Sequence, residues 1–240
     1  MLSIIIPTLN EERLITATLS QFTAEIREAF HLKIILSDGG SADLTREIAS
    51  DFNVEIVTHT KERRQTIAEG RNRGAEHASG ELLMFLNADT RFVNTEKFFL
   101  ALVETMRDPS VVAATCAVQI FPEEEIAIDR LFHLVHNAYC RFLNLIGEGM
   151  GRGECQIIRK EIFDRVGGYN ESIAAGEDYD LFRRVRRLGK ISFLKKIILY
   201  ESPRRFRKYG YARIVWGWTR NALSVSLRNK SSSEEWEAVR

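Results

Sequence analysis

The chain has 240 residues, of which 45% are hydrophobic and 28% are charged, a balance typical of a globular protein that buries one sizeable core. The N-terminal sequence MLSIIIP has no basic segment, long apolar run or cleavage site, so we expect no signal peptide. The three cysteines, Cys116, Cys140 and Cys155, are an odd number without metal-ligand spacing. They argue against a disulfide framework or a zinc site and favour a reducing, cytoplasmic compartment.

The net charge of +1 hides a strongly basic C-terminal quarter. Leu181 to Ser233 carries fifteen Lys and Arg against the single acid Glu201, a local charge of +14. Such a segment favours a phosphate-bearing partner, which is a small ligand, a nucleic acid or an anionic membrane surface. For the part from Arg183 to Lys190, the alternative is a solvated helix face, because its apolar residues keep helical spacing.

The first 90 residues repeat a pattern of strand, loop and helix. The predicted strands cover residues 2–6, 33–37, 54–57 and 82–86, and the predicted helices cover 11–26, 43–50 and 65–78. Asn10 is a good N-cap for the first helix, with Glu11 and Glu12 in its first turn. Four strands that alternate with three helices predict an α/β fold with a mostly parallel sheet and right-handed crossovers.

The fourth strand is an apolar run, Leu82 to Leu86, that ends in Asn87-Ala88-Asp89. In open α/β sheets, ligands bind just beyond the carboxyl ends of such strands. A carboxylate there can hold a divalent cation and, through it, the phosphates of a substrate. The alternative is an ordinary turn that the Asn and Asp residues begin.

The second half of the chain is less regular. The predicted helices cover residues 95–106, 123–146 and 160–166, and the predicted strands cover 111–120, 154–159, 191–194 and 197–200, of which the last two form a hairpin or an edge pair. The helix over 123–146 is too polar to span a bilayer. His133 and His136 within it are spaced as metal ligands, but without a partner carboxylate we favour an exposed polar face.

Three acids, Glu177, Asp178 and Asp180, open a helix after Gly176. The helix dipole stabilises acids at this position, so capping alone could explain them. A cap needs only one acid, however. A loop that enters the same carboxyl-end crevice would bring Asp178 opposite Asp89, where a general base could act.

Four segments carry a resemblance to a known family: IIIPTLNEE, SDGGSADLT, GRNRGAEHASGELLMFLNADT, and GECQIIRKEIFDRVGGYNES with the following GEDYDLFRRVRRLG. In order, they are similar to the opening strand and nucleotide loop, the DGSTD-type segment, the arginine-bearing helix with the DxD metal motif, and the acceptor side with the ED motif of family 2 glycosyltransferases. The resemblance covers about residues 2–206. The segment SPRRF further resembles a bacterial subgroup with a SARRF-like sequence at this place.

The resemblance implies the GT-A type of nucleotide-diphospho-sugar transferase fold, an α/β fold with a mostly parallel central sheet flanked by helices. The implied catalytic domain covers residues 1–206, with a nucleotide-binding half (1–90) and an acceptor half (91–206), before a basic amphipathic helix and tail (207–240). The implied reaction is inverting transfer of a sugar from a UDP- or GDP-sugar to an acceptor hydroxyl or phosphate, with Mn²⁺ or Mg²⁺ as cofactor. The expected acceptor is a glycan or a lipid-linked molecule, and no nucleic acid partner is expected.

Carried over residue by residue, the resemblance makes Asp178 the catalytic base, with Glu177 as second choice, and makes Asp89 the metal ligand. The expected nucleotide-sugar contacts are Pro7, Thr8, Asn10, Glu11, Asp38, Gly39, Arg71, Asn87, Ala88, Asp89, Arg204 and Arg205. The chain departs from the family at two places. Asn87 takes the first position of DxD, and no histidine follows His136, whereas many relatives have a late histidine as a further ligand.

Two other classes of function compete with this one. A sugar-phosphate nucleotidyltransferase can share a similar core, but we expect it to have a glycine-rich loop with Arg and Lys after its first strand, which the segment from Pro7 to Glu11 is not. A non-catalytic nucleotide-binding module is the other, and it would not hydrolyse sugar nucleotides.

The segment from Arg204 to Asn229 mixes basic and aromatic residues. On a helix, one apolar face would consist of Tyr211, Ile214, Val215, Trp218, Ala222 and Val225. Such a helix could lie on an anionic membrane, which gives the hypothesis of a peripheral enzyme at the cytoplasmic face of the cell membrane. The alternative is that this face packs on the enzyme's own core or on the second subunit of a homodimer.

Overall fold

The structure is a computed structural model and describes residues 1–60 and 63–228. The strands are β1 (Leu2–Thr8), β2 (Leu32–Asp38), β3 (Glu55–Thr58), β4 (Leu82–Leu86), β5 (Thr90–Phe92), β6 (Val111–Ile120), β7 (Cys155–Arg159) and β8 (Lys190–Glu201). The helices are α1 (Ile15–Leu19), α2 (Ala24–Phe30), α3 (Thr45–Ser50), α4 (Ile67–Glu76), α5 (Thr95–Met106), α6 (Ala127–Ile146), α7 (Lys160–Arg165), α8 (Glu177–Arg186), α9 (Arg204–Tyr209) and α10 (Tyr211–Arg228). Residues 61–62, which follow β3, and residues 229–240 of the predicted tail lie outside the described residues.

The eight strands form one sheet with the order β3-β2-β1-β4-β7-β6-β8-β5. The pairs β3-β2, β2-β1, β1-β4 and β6-β8 are parallel, whereas β7 runs antiparallel to both of its neighbours and β5 runs antiparallel to β8. The predicted fold class, a mostly parallel sheet flanked by helices, is therefore confirmed. Because β1, β2 and β4 are parallel, the loops after all three leave the same edge of the sheet.

The core lies on both faces of the sheet, and β1 shows why. Ile4 and Ile6 belong to one buried cluster and Ile5 to the other, as expected for successive side chains of a strand. Fully burying each such side chain stabilises the fold by about 1.5–3 kcal/mol. Helix α4 packs closely on β1 at Gly74, where a Cβ atom would overlap the side chain of Ile5.

The predicted N-terminal helix over 11–26 is wrong in its start and its continuity. The chain forms two short helices, α1 and α2, and Asn10 is not an N-cap but has a left-handed backbone with φ of 55°. The reason is that the loop after β1 bonds to the loop after β2. Asn10 Oδ1 accepts from Ala42 N at 2.8 Å, and Glu11 N donates to Thr45 Oγ1 at 2.7 Å.

The predicted hairpin over 191–194 and 197–200 is also wrong. Residues Lys190–Glu201 form the single strand β8, and the register with β6 shifts between Thr115 and Ala117. Lys196, which interrupts the apolar pattern, has φ of 58°, so a local irregularity replaces the turn. The edge strand is instead β5, whose three residues are too few to give a pattern in the sequence.

Helix α10 packs on the enzyme's own core, which the sequence analysis gave as an alternative to membrane binding. Ile214 and Val225 are buried, and Trp218 packs with Phe132 of α6, so most of the predicted apolar face contacts the enzyme itself. Trp216, outside that face, is exposed. Among residues 1–60 and 63–228, no helix is long and apolar enough to cross a membrane.

Candidate active site

A cavity of about 1000 Å³ opens where β1 and β4 end. Among the predicted site residues, it is lined by Pro7, Thr8, Glu11, Gly39, Arg71, Asn87, Ala88, Asp89, Glu177, Asp178, Arg204 and Arg205. The cavity thus contains both Asp89 and Asp178, which the sequence predicted to share one crevice. Its outer part is apolar, with walls from α6 and α10 that include Val135, Tyr139 and Trp218.

Two predicted contacts, Asn10 and Asp38, do not line the cavity. The Asp38 carboxylate is fully buried and accepts from Gly40 N at 3.0 Å and from Ser41 N at 2.9 Å. Asn10 N donates to Ser41 Oγ at 2.9 Å. Both residues therefore shape the two loops that carry Thr8 and Gly39, and their direct contact with the nucleotide stays a prediction.

At the sheet end of the cavity, the Arg204 guanidinium joins two carboxylates. Its Nη1 and Nη2 atoms each lie 2.8 Å from a carboxylate oxygen of Glu11, and Nη2 lies 3.0 Å from Asp89 Oδ2. The backbone fixes this arrangement, because Ser202 N donates to Asp89 O at 3.2 Å and Thr90 pairs with Glu201 in the sheet. The Arg204 side chain remains 21% exposed. We call Glu11, Asp89 and Arg204 the donor-end cluster.

A second group of acids and an arginine lies at the start of α8. Arg71 Nη1 donates to Glu177 Oε1 at 2.8 Å, and Arg71 Nη2 donates to Gly153 O at 2.8 Å. Asp178 is partly open to the cavity, and its Oδ1 accepts from Tyr179 N at 2.8 Å. We call Arg71, Glu177 and Asp178 the base-end cluster. Arg71 is almost fully buried and ion-paired, and of its three side-chain nitrogen atoms only the buried Nε has no hydrogen-bond partner in the described residues, so its contact with phosphates stays a prediction.

Burial controls the charges of the two acids in the base-end cluster. It raises the pKa of Glu177 to about 7, with the charge of Asp178 adding to the effect and Arg71 opposing it. Burial also raises the pKa of Asp178, although the charge of Arg71 limits the change. A carboxylate whose pKa is raised toward neutrality is a better proton acceptor than an exposed one.

A buried polar network that the sequence analysis missed forms the floor of the cavity. Arg152 Nε donates to Glu154 at 3.0 Å, Nη2 donates to Glu201 at 3.3 Å, and Nη1 lies 3.0 Å from His136 Nδ1. Burial would raise the pKa of Glu154, but Arg152 lowers it to about 2, whereas burial and Glu154 raise the pKa of Glu201. Burial, together with Arg152, lowers the pKa of His136 to about 3. The only sequence signal was the pair Arg152 and Glu154 directly before β7.

Several cavity-lining side chains of the nucleotide half, Thr8 and Gln65 among them, have unsatisfied polar atoms. Within the described residues, Thr8 Oγ1 and both polar atoms of the Gln65 side chain are buried without a hydrogen-bond partner. Buried polar groups normally have a partner, so these atoms indicate a ligand or water at this place. Thr8 was predicted, whereas Gln65 was not.

The donor atoms near Asp89 suit a hard cation that phosphates help to hold. Mg²⁺ is usually bound by one or two carboxylates and by substrate phosphates. Asp89 supplies a carboxylate and Asn87 an amide oxygen, and both line the cavity. In the part of the chain that the structure describes, no three His, Cys, Asp or Glu side chains are close enough to hold a metal by themselves.

With this geometry known, comparison with known proteins identifies the family. The model of the family described as Glycosyl transferase family 2 matches residues 3–167. The chain belongs to glycosyl transferase family 2. It is 26% identical over 198 residues to an uncharacterized glycosyltransferase of Haemophilus influenzae, and the match covers 77% of this chain and 62% of that protein.

Solved structures show that this family member has the GT-A type of fold. One is the mannosyltransferase PcManGT of Pyrobaculum calidifontis in complex with GDP-Man and Mn²⁺, with a TM-score of 0.66, 19% identity, and coverage of 84% of this chain and 56% of that chain. Another is glucosyl-3-phosphoglycerate synthase of Mycobacterium tuberculosis with Mn²⁺, UDP-glucose and phosphoglyceric acid, with a TM-score of 0.62, 15% identity, and coverage of 95% and 78%. At these identities the likeness shows the fold alone. The predicted bacterial subgroup with a SARRF-like segment is not tested by these matches and stays a prediction.

Proposed function

We propose that the chain is an inverting glycosyltransferase that moves a sugar from a UDP- or GDP-sugar to a hydroxyl or phosphate of an acceptor. The observation that carries the proposal is that one cavity contains both the donor-end cluster and the base-end cluster. The first offers the Arg204 guanidinium to a leaving group and the Asp89 carboxylate to a cation, and the second offers a partly open carboxylate whose pKa is raised.

The nucleotide lies at the ends of β1 and β2 in this proposal. Thr8 and Gln65 have buried polar atoms without partners in the described residues, and these atoms would bond the base and the ribose. Glu11 stays with Arg204, whose guanidinium would contact the pyrophosphate together with Arg205. Arginine is well suited to this contact because its planar fork matches phosphate oxygens.

Asp89 and Asn87 would hold a divalent cation shared with the phosphates. When bound, the ion supplies positive charge to the pyrophosphate leaving group. Arg204 now neutralises Asp89, so phosphate binding to Arg204 would free the Asp89 carboxylate. The solved structures of similar fold that contain Mn²⁺ with GDP-Man or UDP-glucose support this expectation.

Asp178 acts as the general base. The acceptor O–H proton moves to the Asp178 carboxylate while the acceptor oxygen bonds to the anomeric carbon, and the nucleoside diphosphate leaves from the opposite face with the electron pair of the broken bond. One carboxylate suffices for this single displacement, which inverts the configuration. Glu177 is the weaker choice, because its carboxylate is buried and paired with Arg71.

The acceptor enters through the apolar outer part of the cavity. Val135, Tyr139, Val215 and Trp218 line this part, and a sugar or phosphate acceptor alone would gain little from them. A lipid-linked acceptor at the inner face of the cell membrane would bury its apolar portion against these side chains while its polar end reaches Asp178.

A product analysis tests the proposal. UDP- and GDP-sugars would be screened by thermal shift with and without Mn²⁺, and the best donor would then be incubated with the protein and analysed for nucleotide products. Release of a nucleoside diphosphate with a sugar of inverted configuration is the expected result. Formation of a nucleoside triphosphate and a sugar phosphate when pyrophosphate is added would assign the chain to the nucleotidyltransferases instead, and binding without any turnover would favour a non-catalytic module.

A further inference from the structure

Helix α6 directs its polar side chains toward the enzyme and its apolar side chains toward solvent, the reverse of an ordinary surface helix. The side chains that face the enzyme are mainly polar: Asp129, His133, Asn137 and Cys140 are buried. The side chains that face outward are mainly apolar and exposed, namely Ile128, Leu131, Leu134, Val135, Tyr139, Phe142, Leu145 and Ile146. Leu145 is 83% exposed and Leu134 is 68% exposed. We call this set the α6 outer face.

Specific bonds hold the polar face of α6 on the enzyme, so the inversion is not a rotation of a loosely packed helix. Asn137 Nδ2 donates to Val118 O at 2.9 Å, and Asn137 Oδ1 accepts from Val118 N at 3.1 Å. Asp129 accepts from Arg207 Nη1 at 2.8 Å and from the Tyr211 hydroxyl. Turning the apolar side chains inward would break these bonds and bury unpaired polar groups.

Within α6 itself, the exposed charged side chains are of one sign. Within Ala127–Ile146 the only carboxylate is Asp129, which is buried, whereas Arg130 and Arg141 are exposed. The sequence of α10 contains no acid, and its Arg213 and Arg220 are exposed. Acids lie beyond the two ends of α6: Glu123 pairs with Arg91 and Glu125 with Arg130, each at 2.7 Å, and Glu148 lies 3.9 Å from Arg183. Glu124, also before α6, is exposed.

We propose that the α6 outer face docks in the plane of an anionic membrane surface and that α6, rather than α10, is the principal membrane contact. A helix with a long apolar face, flanking arginines and no exposed acid has the features of an interfacial membrane helix. A second copy of the chain would bring the same arginines together, which like-charge repulsion disfavours.

The same face is continuous with the apolar part of the cavity. Val135 and Tyr139 are exposed on α6 and also line the cavity, opposite Trp218 of α10. A lipid-linked molecule could therefore pass from the membrane to the site without crossing water. The inference rests on the proposed function only for this delivery of an acceptor, because docking itself needs no sugar transfer.

Vesicle sedimentation tests the docking. The full chain would be mixed with vesicles of phosphatidylcholine and phosphatidylglycerol at low salt and centrifuged. We expect wild type to sediment and the double variant Leu134→Glu with Leu145→Glu to lose at least about tenfold in vesicle affinity, because neither side chain lines the cavity and both lie outermost on the face. Trp216→Glu on α10 should lose less.

Matched controls separate docking from folding and from catalysis. Leu100→Glu with Val103→Glu places the same two charges at exposed apolar positions of α5 and should sediment as wild type does. Asp178→Asn should also sediment normally, so failure of transfer chemistry leaves the docking result intact. The inference is overturned if wild type stays in the supernatant, if the α6 variant sediments like wild type, or if sedimentation velocity without vesicles shows a dimer that the α6 variant abolishes.

Discussion

The donor-end and base-end clusters use the same chemical units, an arginine between carboxylates, but the arginines differ in access. The Arg204 side chain is 21% exposed and the Arg71 side chain is 2% exposed. A phosphate can replace Asp89 as a partner of Arg204 without opening the fold. Arg71 is far less accessible, because its Nη1 and Nη2 atoms already serve Glu177 and Gly153 O and the remaining donor, Nε, is buried. We infer that the donor end exchanges partners with its ligand, whereas the base end is fixed in place.

This difference has an energetic basis. Breaking a buried ion pair by removing one partner costs about 3–5 kcal/mol, whereas a partly exposed pair is worth much less. Substitutions at the donor end should therefore change ligand binding, and substitutions at the base end should change the rate or the stability. The following predictions test that division in order of decreasing effect.

The largest effect is expected for Asp178→Asn. Because the amide cannot accept the acceptor proton, kcat should fall by about 10²–10⁴-fold, while the affinity for the nucleotide stays nearly unchanged. Steady-state kinetics and calorimetric titration of the nucleotide measure the two quantities. Asp180→Asn is the control, because Asp180 lies on the same helix but pairs with Arg184 and does not line the cavity. Equal losses of rate and nucleotide affinity would contradict the role of Asp178.

The next effect is expected for Asp89→Ala. Removing the one carboxylate of the strand-end motif should weaken Mn²⁺-dependent nucleotide binding by at least about tenfold. Even residues that only hydrogen-bond to a metal ligand change metal affinity by about this factor when they are mutated. Nucleotide titrations with and without Mn²⁺ measure it, with the exposed residue Asp51 changed to Ala as a control. If the variant keeps the Mn²⁺ dependence of wild type, the ion lies elsewhere or is not required.

A smaller effect concerns the pH dependence of stability. Because burial raises the pKa of Glu177 to about 7, the folded chain keeps a proton that the unfolded chain releases near pH 4.5. The stability that the neutral carboxyl contributes is full below pH 4.5 and is lost as the pH rises to about 7. Glu177→Gln cannot ionise. As the pH rises across this range, its free energy of unfolding should therefore increase relative to that of wild type by on the order of 2 kcal/mol.

Urea unfolding at several pH values measures this gain, with exposed Glu161→Gln as the control. If the free energies of unfolding of Glu177→Gln and wild type differ by the same amount at every pH, Glu177 is ionised throughout. The charge of Arg71 would then affect the pKa of Glu177 more than burial does.

The sequence predicted the cavity better than the contacts inside it. Asp89 and Asp178 share a cavity, as predicted, because the ends of parallel strands and the start of a helix have recognisable local signals. Arg71 was predicted as a phosphate ligand, but its Nη1 donates to Glu177, which lies 106 residues away in sequence. Pairing over such a separation is a tertiary effect that no local pattern records.

Helix α6 also shows that local sequence patterns do not predict tertiary contacts. Its apolar spacing predicted a helix correctly, but spacing does not tell which face points inward. We expected His133 and His136 on an exposed polar face. That expectation is wrong, because His133 is fully buried and His136 is half-buried beside Arg152. The bonds of Asn137 to β6 and of Asp129 to Arg207 set the orientation, and both join distant parts of the chain.

The smallest effect, and the sharpest test of a fixed base end, is expected for Gly153→Ala. A Cβ atom on Gly153 would lie 2.9 Å from Asp178 Oδ2, and the carboxylate, as the end of a side chain, can move away without disturbing the backbone. Small displacements of a catalytic group lower the rate, so kcat should fall by up to about tenfold while the folded state and nucleotide affinity persist. Gly217→Ala is the matched control, because a Cβ atom there meets nothing within 4 Å. If Gly153→Ala keeps the full rate, Asp178 either tolerates displacement or is not the base, and Asp178→Asn decides between the two.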